Sequence, residues 1–528
     1  MVTATNDSAP AAPASDRLEG VCPIDGQPRE PVMRTPLDAI DGVVARARAA
    51  SEAWRGTSLE DRISALETAA KAMLDDRATV LERVRSELGK ADVDAMFTEA
   101  LGPLDTVRAW AKLVKKHART ETVRLNPLAF PRKKAFIDLV PRGVVGVIAP
   151  WNFPVAGLYR STLPALLTGN AIVVKPSEHS PRSSAWYLEH LAAALPEGLV
   201  GLVQGDGSAG EALVGSEVDA LVFTGSARTG ARVRVRCAEY ALPCSIETGG
   251  NDGAIVLPDA DLDRTAAGIT QWTLQNAGQA CGAIEVAYVD AGIADGFVAK
   301  LGARWENLRT GPGEPGAVDV APLAHPAQLE LVERHVQDAL EKGATLVTGG
   351  ARTGEGLSYR PTILDGCTDD MDVVREETFG PVLAVCRVEG PTEAIRRINA
   401  GKYGLTASLW TADVDRAKRL AERLDVGVVS INNHAMTGAI PDLPWSGTRD
   451  SGLGVANSRH GLSTFVRPKA LLVDEATGPE PFWLPYDRDA LLLGDILADA
   501  QRFRLERAWR LPGLLRRRAA KIRDFFHS

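Results

Sequence analysis

GVVGVIAP (143–150), NAIVVKPS (170–177), LVGLVQG (199–205) and ALVFTGS (220–226) are four short apolar runs, each closed by glycine, proline or a small polar residue. Between the first three lie the helical segments YRSTLPALLTG (159–169) and SSAWYLEHLAAAL (183–195). Strands and helices alternating in this rhythm indicate an α/β fold of parallel βαβ units in a doubly wound sheet, because parallel neighbours must be joined by a crossover and a helix supplies it. Ligands of such sheets bind beyond the carboxyl ends of the strands. Those ends here carry APWN, KPSE, QGDG and FTGS, so polar and glycine residues converge on one edge. A dinucleotide-type domain is expected.

On the N-terminal side, Thr35 to about Arg119 is helical in pattern, with apolar residues three and four apart, and Ser58 stands as an N-cap with Asp61 three residues on. TVRLNPLAF and KKAFIDLVP then read as two strands around Asn126-Pro127 and Pro131, a projecting hairpin suited to assembly. On the C-terminal side, 248–433 is a second α/β stretch, in which AIVLPDADL, EVAYVD, GPVLAVCRV, SLWTADV and GVVSINN alternate with helices such as LELVERHVQDALEKG.

With 528 residues the chain exceeds what one core serves, so several packed units are expected. Hydrophobic residues at 45% and charged residues at 24% are those of a soluble globular protein, and a net charge of −8 speaks against a nucleic-acid partner. The six cysteines form no CxxC pair and the histidines no cluster, so neither a disulfide framework nor a metal site is expected. A reducing cytoplasmic setting fits. The Ala/Pro/Ser-rich start, residues 1–20, reads as a disordered lead-in without the basic and apolar regions of a signal peptide, and no apolar run is long enough for a transmembrane helix.

Cys281 in NAGQACGAIEV is flanked by small residues ahead of a strand-like run, a setting in which a thiolate could act as nucleophile, although a cysteine taken alone is more often a buried thiol. GSARTG (225–230) is a strand-to-helix glycine turn that can offer backbone N–H groups to a phosphate, and taken alone it is equally a plain turn. Register decides both. GVIAPWNFP (146–154), VVKPSE (173–178), FTGSARTG (223–230), ETGG (247–250), NAGQAC (276–281), EETFGPV (376–382) and WSGTRDSGLG (445–454) together resemble the aldehyde dehydrogenase superfamily over about residues 30–470.

The resemblance implies a Rossmann-like parallel-sheet cofactor domain (21–120 and 142–247), an α/β catalytic domain (248–450) and a β oligomerisation arm (121–141 and 464–474) that assembles a homodimer or homotetramer, leaving 475–528 as an extension. It implies Cys281 as the nucleophile that attacks a small-molecule aldehyde, Asn152 as an oxyanion donor and Glu247 as the base that lets water release the acid. That glutamate favours hydrolysis over transfer to coenzyme A. For the cofactor it implies Ile148, Trp151, Lys175, Glu178, Gly225, Ser226, Gly230, Glu377 and Phe379. The carboxylate at 178 should repel a 2′-phosphate, so NAD is expected over NADP. Thr248 and Asn251 depart from the leucine and lysine commoner there.

Arg160 coincides with an arginine by which succinate-semialdehyde dehydrogenases hold a substrate carboxylate, but the second arginine of those enzymes is here Gln275. An uncharged aldehyde, with Tyr159 and Trp272 as channel walls, is the main expectation and a semialdehyde the alternative. From another class, the chain could be a silent scaffold that recruits a membrane. Within 501–528, nine Lys/Arg face Glu506 and Asp524, a local charge of +7 that leaves −15 for the rest. With its interleaved apolar residues the segment reads either as a basic amphipathic helix for peripheral contact with an anionic membrane or as a tail lying on the protein's own acidic surface or a neighbouring subunit.

Overall fold

The computed structural model describes residues 16–127 and 129–527, so the expected lead-in lies outside the described residues up to position 15. Its last residues are ordered, against expectation. Arg17–Leu18 pairs antiparallel with Val32–Met33, and Leu18 is buried; a strand of two residues is too short to show a period in a polar context. Contacts divide the chain into two units, one of residues up to Arg119 with Val140–Arg467, the other of Thr120–Leu139 with the chain from Pro468 on.

In the first unit four long helices, Ile40–Arg55, Leu59–Asp75, Arg77–Leu88 and Gly102–His117, precede the first sheet. Ser58 caps as expected: its Oγ accepts from Asp61 N at 3.1 Å and donates to the Asp61 carboxylate at 2.7 Å. The sheet orders its strands as Val200–Leu202, Ala171–Lys175, Val144–Ile148, Ala220–Gly225, Cys244–Thr248, with Gly452–Leu453 added antiparallel at the edge. Chain order reverses between Val144–Ile148 and Ala220–Gly225, which opens a crevice at their carboxyl ends. Both Val144–Ile148 and Ala171–Lys175 are buried throughout, as strands covered by helices on two faces must be.

A second sheet runs Thr345–Thr348, Thr362–Asp365, Val382–Val388, Ile284–Asp290, Asp252–Val256, Thr406–Trp410, Val428–Ile431, all parallel except the first. Its first two strands escaped the sequence reading, being four residues each beside glycine turns. Strand Cys244–Thr248 is the last parallel strand of one sheet and Asp252–Val256 begins the other, with only Gly249, Gly250 and Asn251 between. The carboxyl edge of the first sheet therefore faces the amino edge of the second. Residues just before strands of the second sheet, Cys281 and Glu377–Phe379, are thereby delivered to the same place as Glu247.

In the second unit, Glu121–Val123 pairs antiparallel with Lys133–Pro141, which is flanked on its other side by Val466–Asp474. Beyond that arm the chain forms two helices, Arg488–Gln501 and Leu511–His527, joined by an irregular link. Neither sequence reading of the tail foresaw this pairing, in which Arg507, Arg517 and Lys521 reach Asp499, Asp489 and Asp487.

Candidate active site

Between the two sheets lies a cavity of about 1360 Å³, and every residue named from the sequence lines it except Gly230. Gly230 points inward: a Cβ there would stand 2.6 Å from Thr248 Cγ2, so it is the residue that lets helix Ala227–Glu239 lie close on strand Cys244–Thr248. Its lack of a side chain serves packing, and Gly230 itself stands outside the lining of the cavity.

At one end, Ser226 caps helix Ala227–Glu239 by accepting from Thr229 N at 3.4 Å, while the N–H groups of Ala227 and Arg228 have no partner within the helix. An N-terminus of this kind suits a pyrophosphate. Lys175 and Glu178 pair at 3.2 Å beyond Ile148. Burial opposes the Glu178 charge, but Lys175 and backbone N–H groups hold its carboxyl below the usual range, so it stays ionised. Trp151 meets Phe379 edge-on with centroids 5.5 Å apart, and on its other side His325, which in turn stacks on His179.

Glu377 rests on Gly249, where a Cβ would be 1.7 Å from its Oε1. That oxygen is buried without a partner. Burial, then Glu285 and Asp252 nearby, push the Glu377 carboxyl well above the carboxylate range. Glu285 accepts from the backbone N–H groups of Thr378 (2.6 Å) and Phe379 (2.8 Å), fixing this loop, and burial raises its carboxyl to about 8. The unpartnered Glu377 Oε1, the helix terminus at Ser226 and the ionised Glu178 line one cavity, a set that fits a nicotinamide dinucleotide: ribose hydroxyls for Glu377 and Glu178, phosphates for the helix end.

At the other end stands Cys281. Asn276 and Ala277 take left-handed backbone angles and Gly278 follows at φ 76°, where a Cβ would meet the Gly380 carbonyl at 2.0 Å. Asp94 accepts from Asn276 N at 2.9 Å and pins the bend. Asn152 Nδ2 donates to the Gln279 carbonyl at 3.0 Å, which holds its amide beside the cysteine with one N–H still free. The cysteine packs against a small cluster of Leu405, Val428 and Trp445. Burial raises its thiol to about 12, against the pull of Arg160 and with a further push from Glu247. Glu247 is likewise raised by burial, and Arg160 opposes the rise.

Arg160 lies 5.6 Å from the Trp445 ring, and its Nε and Nη2 are buried with no partner. Tyr159 donates its hydroxyl to the Thr98 carbonyl at 3.1 Å and so presents a ring as wall. Gln275 and Trp272 line the same end, the latter tied to Asn433. Thr248 and Asn251 are both engaged, Thr248 Oγ1 with the Asp450 carbonyl and Asn251 Nδ2 with the Glu376 carbonyl, so the two departures keep the turn anchored.

Sequence reasoning missed Lys90 and Glu99, a fully buried pair at 2.5 Å behind this wall. Glu99 also accepts from Val155 N (3.0 Å) and Ala156 N (2.9 Å), and Lys90 donates to the Asn152 carbonyl at 3.2 Å and sits over the Phe153 ring. Together they set the PWNFP turn. Both occur in a helical stretch where charges read as solvent-facing.

The sequence profile of the aldehyde dehydrogenase family matches residues 11–471. The chain is similar to a 4,4′-diapolycopene aldehyde oxidase of Methylomonas sp. (35% identity; 89% of this chain, 88% of the other). It is also similar to a putative NADP⁺ succinate-semialdehyde dehydrogenase of Mycolicibacterium smegmatis (33%; 83% and 85%). Among solved structures it superposes on a Mycobacterium tuberculosis aldehyde dehydrogenase complexed with NAD⁺ with a TM-score of 0.83 (30% identity; 88% and 95% covered). With the motifs, the two facing sheets and the shared cavity in agreement with these likenesses, the chain belongs to the aldehyde dehydrogenase family, oxidoreductases that oxidise aldehydes with NAD or NADP.

Proposed function

We propose that this aldehyde oxidation runs through a thioester on Cys281, that Glu247 then directs water to it, and that NAD is the preferred cofactor. The observation that carries the reading is that Cys281, Glu247 and the free N–H of Asn152 border one cavity with the helix terminus at Ser226. The thiol gives its proton inside the cavity to the Glu247 carboxylate, whose proton affinity burial has raised, and the sulfur forms a bond to the aldehyde carbon. The resulting oxyanion meets Asn152 Nδ2 and the backbone N–H of Cys281. A bound nicotinamide would supply the two-electron acceptor that takes the hydride of the carbon's C–H bond, which leaves the thioester. Glu247 takes a proton from water, the water oxygen displaces sulfur, and the acid leaves.

NAD preference rests on Glu178, ionised beside Lys175 and repulsive to a 2′-phosphate. Arg182, which could offset that repulsion, is turned to Glu30 at 3.2 Å. Assembly rests on the arm: Val466–Asp474 is an edge strand, exposed from Arg467 on, with Leu471 and Leu472 outward, a row that a second copy would cover. All six cysteines are free thiols, and no helix among the described residues is long and apolar enough to cross a membrane.

A second reading, a carboxylate-bearing aldehyde, is favoured by the two buried donors of Arg160 that have no partner among the described residues, in the cavity that also holds the thiol. The aromatic walls favour an apolar one. NADH formation over a panel of aldehydes tests both. Cys281→Ala abolishes turnover and Glu247→Gln gives a burst of NADH and then a stalled acyl-enzyme detectable by mass; equal rates in all three proteins would sink the scheme. If succinate semialdehyde outpaces hexanal, and Arg160→Ala removes that lead, the carboxylate reading holds.

A further inference from the structure

We propose that the C-terminal hairpin is an interfacial anchor that seats the protein on an anionic lipid bilayer. Outside the region from Pro481 on, the described chain exposes three large aromatics to a substantial degree, Phe97, Phe130 and Tyr240. Within it, seven are exposed, among them Phe503 (95%), Tyr486 (77%) and Trp509 (74%). The hairpin's own core is small, Leu493, Ile496 and Leu514, and leaves these rings outside.

Their exposure is built in. Arg518 is fully buried and donates to the carbonyls of Pro481 (2.9 Å), Trp483 (2.6 Å) and Pro485 (2.7 Å), and it pairs with Asp487 at 3.2 Å. A buried cation is costly unless its donors are filled, and here they are filled by the segment that carries Phe482, Trp483 and Tyr486 outward. The cations divide in two sets. Arg507, Arg517, Arg518 and Lys521 are neutralised by Asp487, Asp489 and Asp499 and hold the hairpin. Arg502, Arg504, Arg510, Arg516 and Arg523 are exposed and form no ion pair among the described residues.

The arrangement selects the occupant. In the link RFRLERAWR (502–510) nearly every apolar side chain has an arginine as neighbour, and Arg510 lies 5.1 Å from the Trp509 ring. A protein interface gathers apolar groups at its centre and keeps charge to the rim. At a bilayer surface, rings enter the headgroup layer while adjacent arginines reach phosphates, so an interleaved pattern satisfies both. Residues 481–528 hold ten Lys/Arg against six Asp/Glu, a net +4, and the rest of the chain, at −12, would be repelled by the same surface, which leaves the hairpin as the contact.

Co-sedimentation of the full-length protein with phosphatidylcholine vesicles, with and without phosphatidylserine, tests this. We expect pelleting with the phosphatidylserine vesicles only, reversed by salt, and a blue shift of tryptophan emission. Arg504→Glu/Arg510→Glu lowers partitioning at least about tenfold and Phe503→Ser/Trp509→Ser abolishes the shift, both with NADH formation unchanged. No pelleting, or equal pelleting of wild type and variants, overturns the proposal. Light scattering that shows the same variants breaking up an oligomer would instead assign the surface to a second copy of the chain.

Discussion

The two ends of the cavity are built on opposite plans. At the dinucleotide end the groups are held by backbone and by partners: a helix terminus, a strand end, Lys175 with Glu178. At the reaction end, ionisable groups are partly buried, and Arg160 and, at the boundary, Glu377 keep buried polar atoms without a partner among the described residues, beside Cys281 and Glu247. One end is ready to bind and the other is kept short of charge compensation, so its groups respond strongly to whatever arrives. Reactivity here comes from withheld solvation, and the scaffold around it must be correspondingly rigid.

That contrast can be broken at several points. The largest effect is expected at the buried support: Lys90→Met leaves Glu99 uncompensated and should cost about 3–5 kcal/mol in denaturant unfolding, while Lys90→Met/Glu99→Gln recovers part of it. A single mutant no less stable than wild type would mean the reaction end is not rigidly framed. Next, Asn152→Ala should lower kcat about 10²- to 10³-fold with KM little changed, if its free N–H serves the oxyanion alone.

A third effect is a pH limb. Because burial raises the Glu247 carboxyl, it remains protonated further up the pH scale than an exposed glutamate, so its contribution as base appears only as pH rises through the raised value. The rate of acyl-enzyme hydrolysis should climb with pH along a limb displaced above the ordinary glutamate range near 4.5, and a limb at that ordinary value would show a solvated carboxyl. The smallest change tests the other end: Glu178→Gln should reduce the NAD-over-NADP ratio of kcat/KM by about tenfold, with kcat for NAD nearly constant. A fall in kcat of the size expected for Asn152→Ala would erase the distinction between the ends.

What the sequence made legible follows from the same contrast. Alternating apolar runs from 143 to 226 implied the parallel sheet and the edge on which ligands gather, because strand burial and crossover length are local properties. All but one of the named site residues reach the cavity; Gly230 differs because a glycine needed for close approach of helix to strand looks like one needed for a phosphate. Lys90, Glu99, Asp94 and Glu285 were invisible, since a charged residue within a helix or strand pattern reads as solvent-facing until its distant partner is known. In the tail, composition showed the charge, but the acidic residues of 487–499 that take up part of it became visible only when the helices paired.

The passage of three residues from Thr248 to Asp252 has a mechanical implication. Glu247 is the penultimate residue of strand Cys244–Thr248, just before the chain leaves one sheet for the other, with Gly249 under the Glu377 carboxyl and Thr248 tied to Asp450. Any rocking of the sheets against each other must twist the peptide that carries Glu247, so a change in the width of the cleft and a displacement of that carboxyl are mechanically coupled.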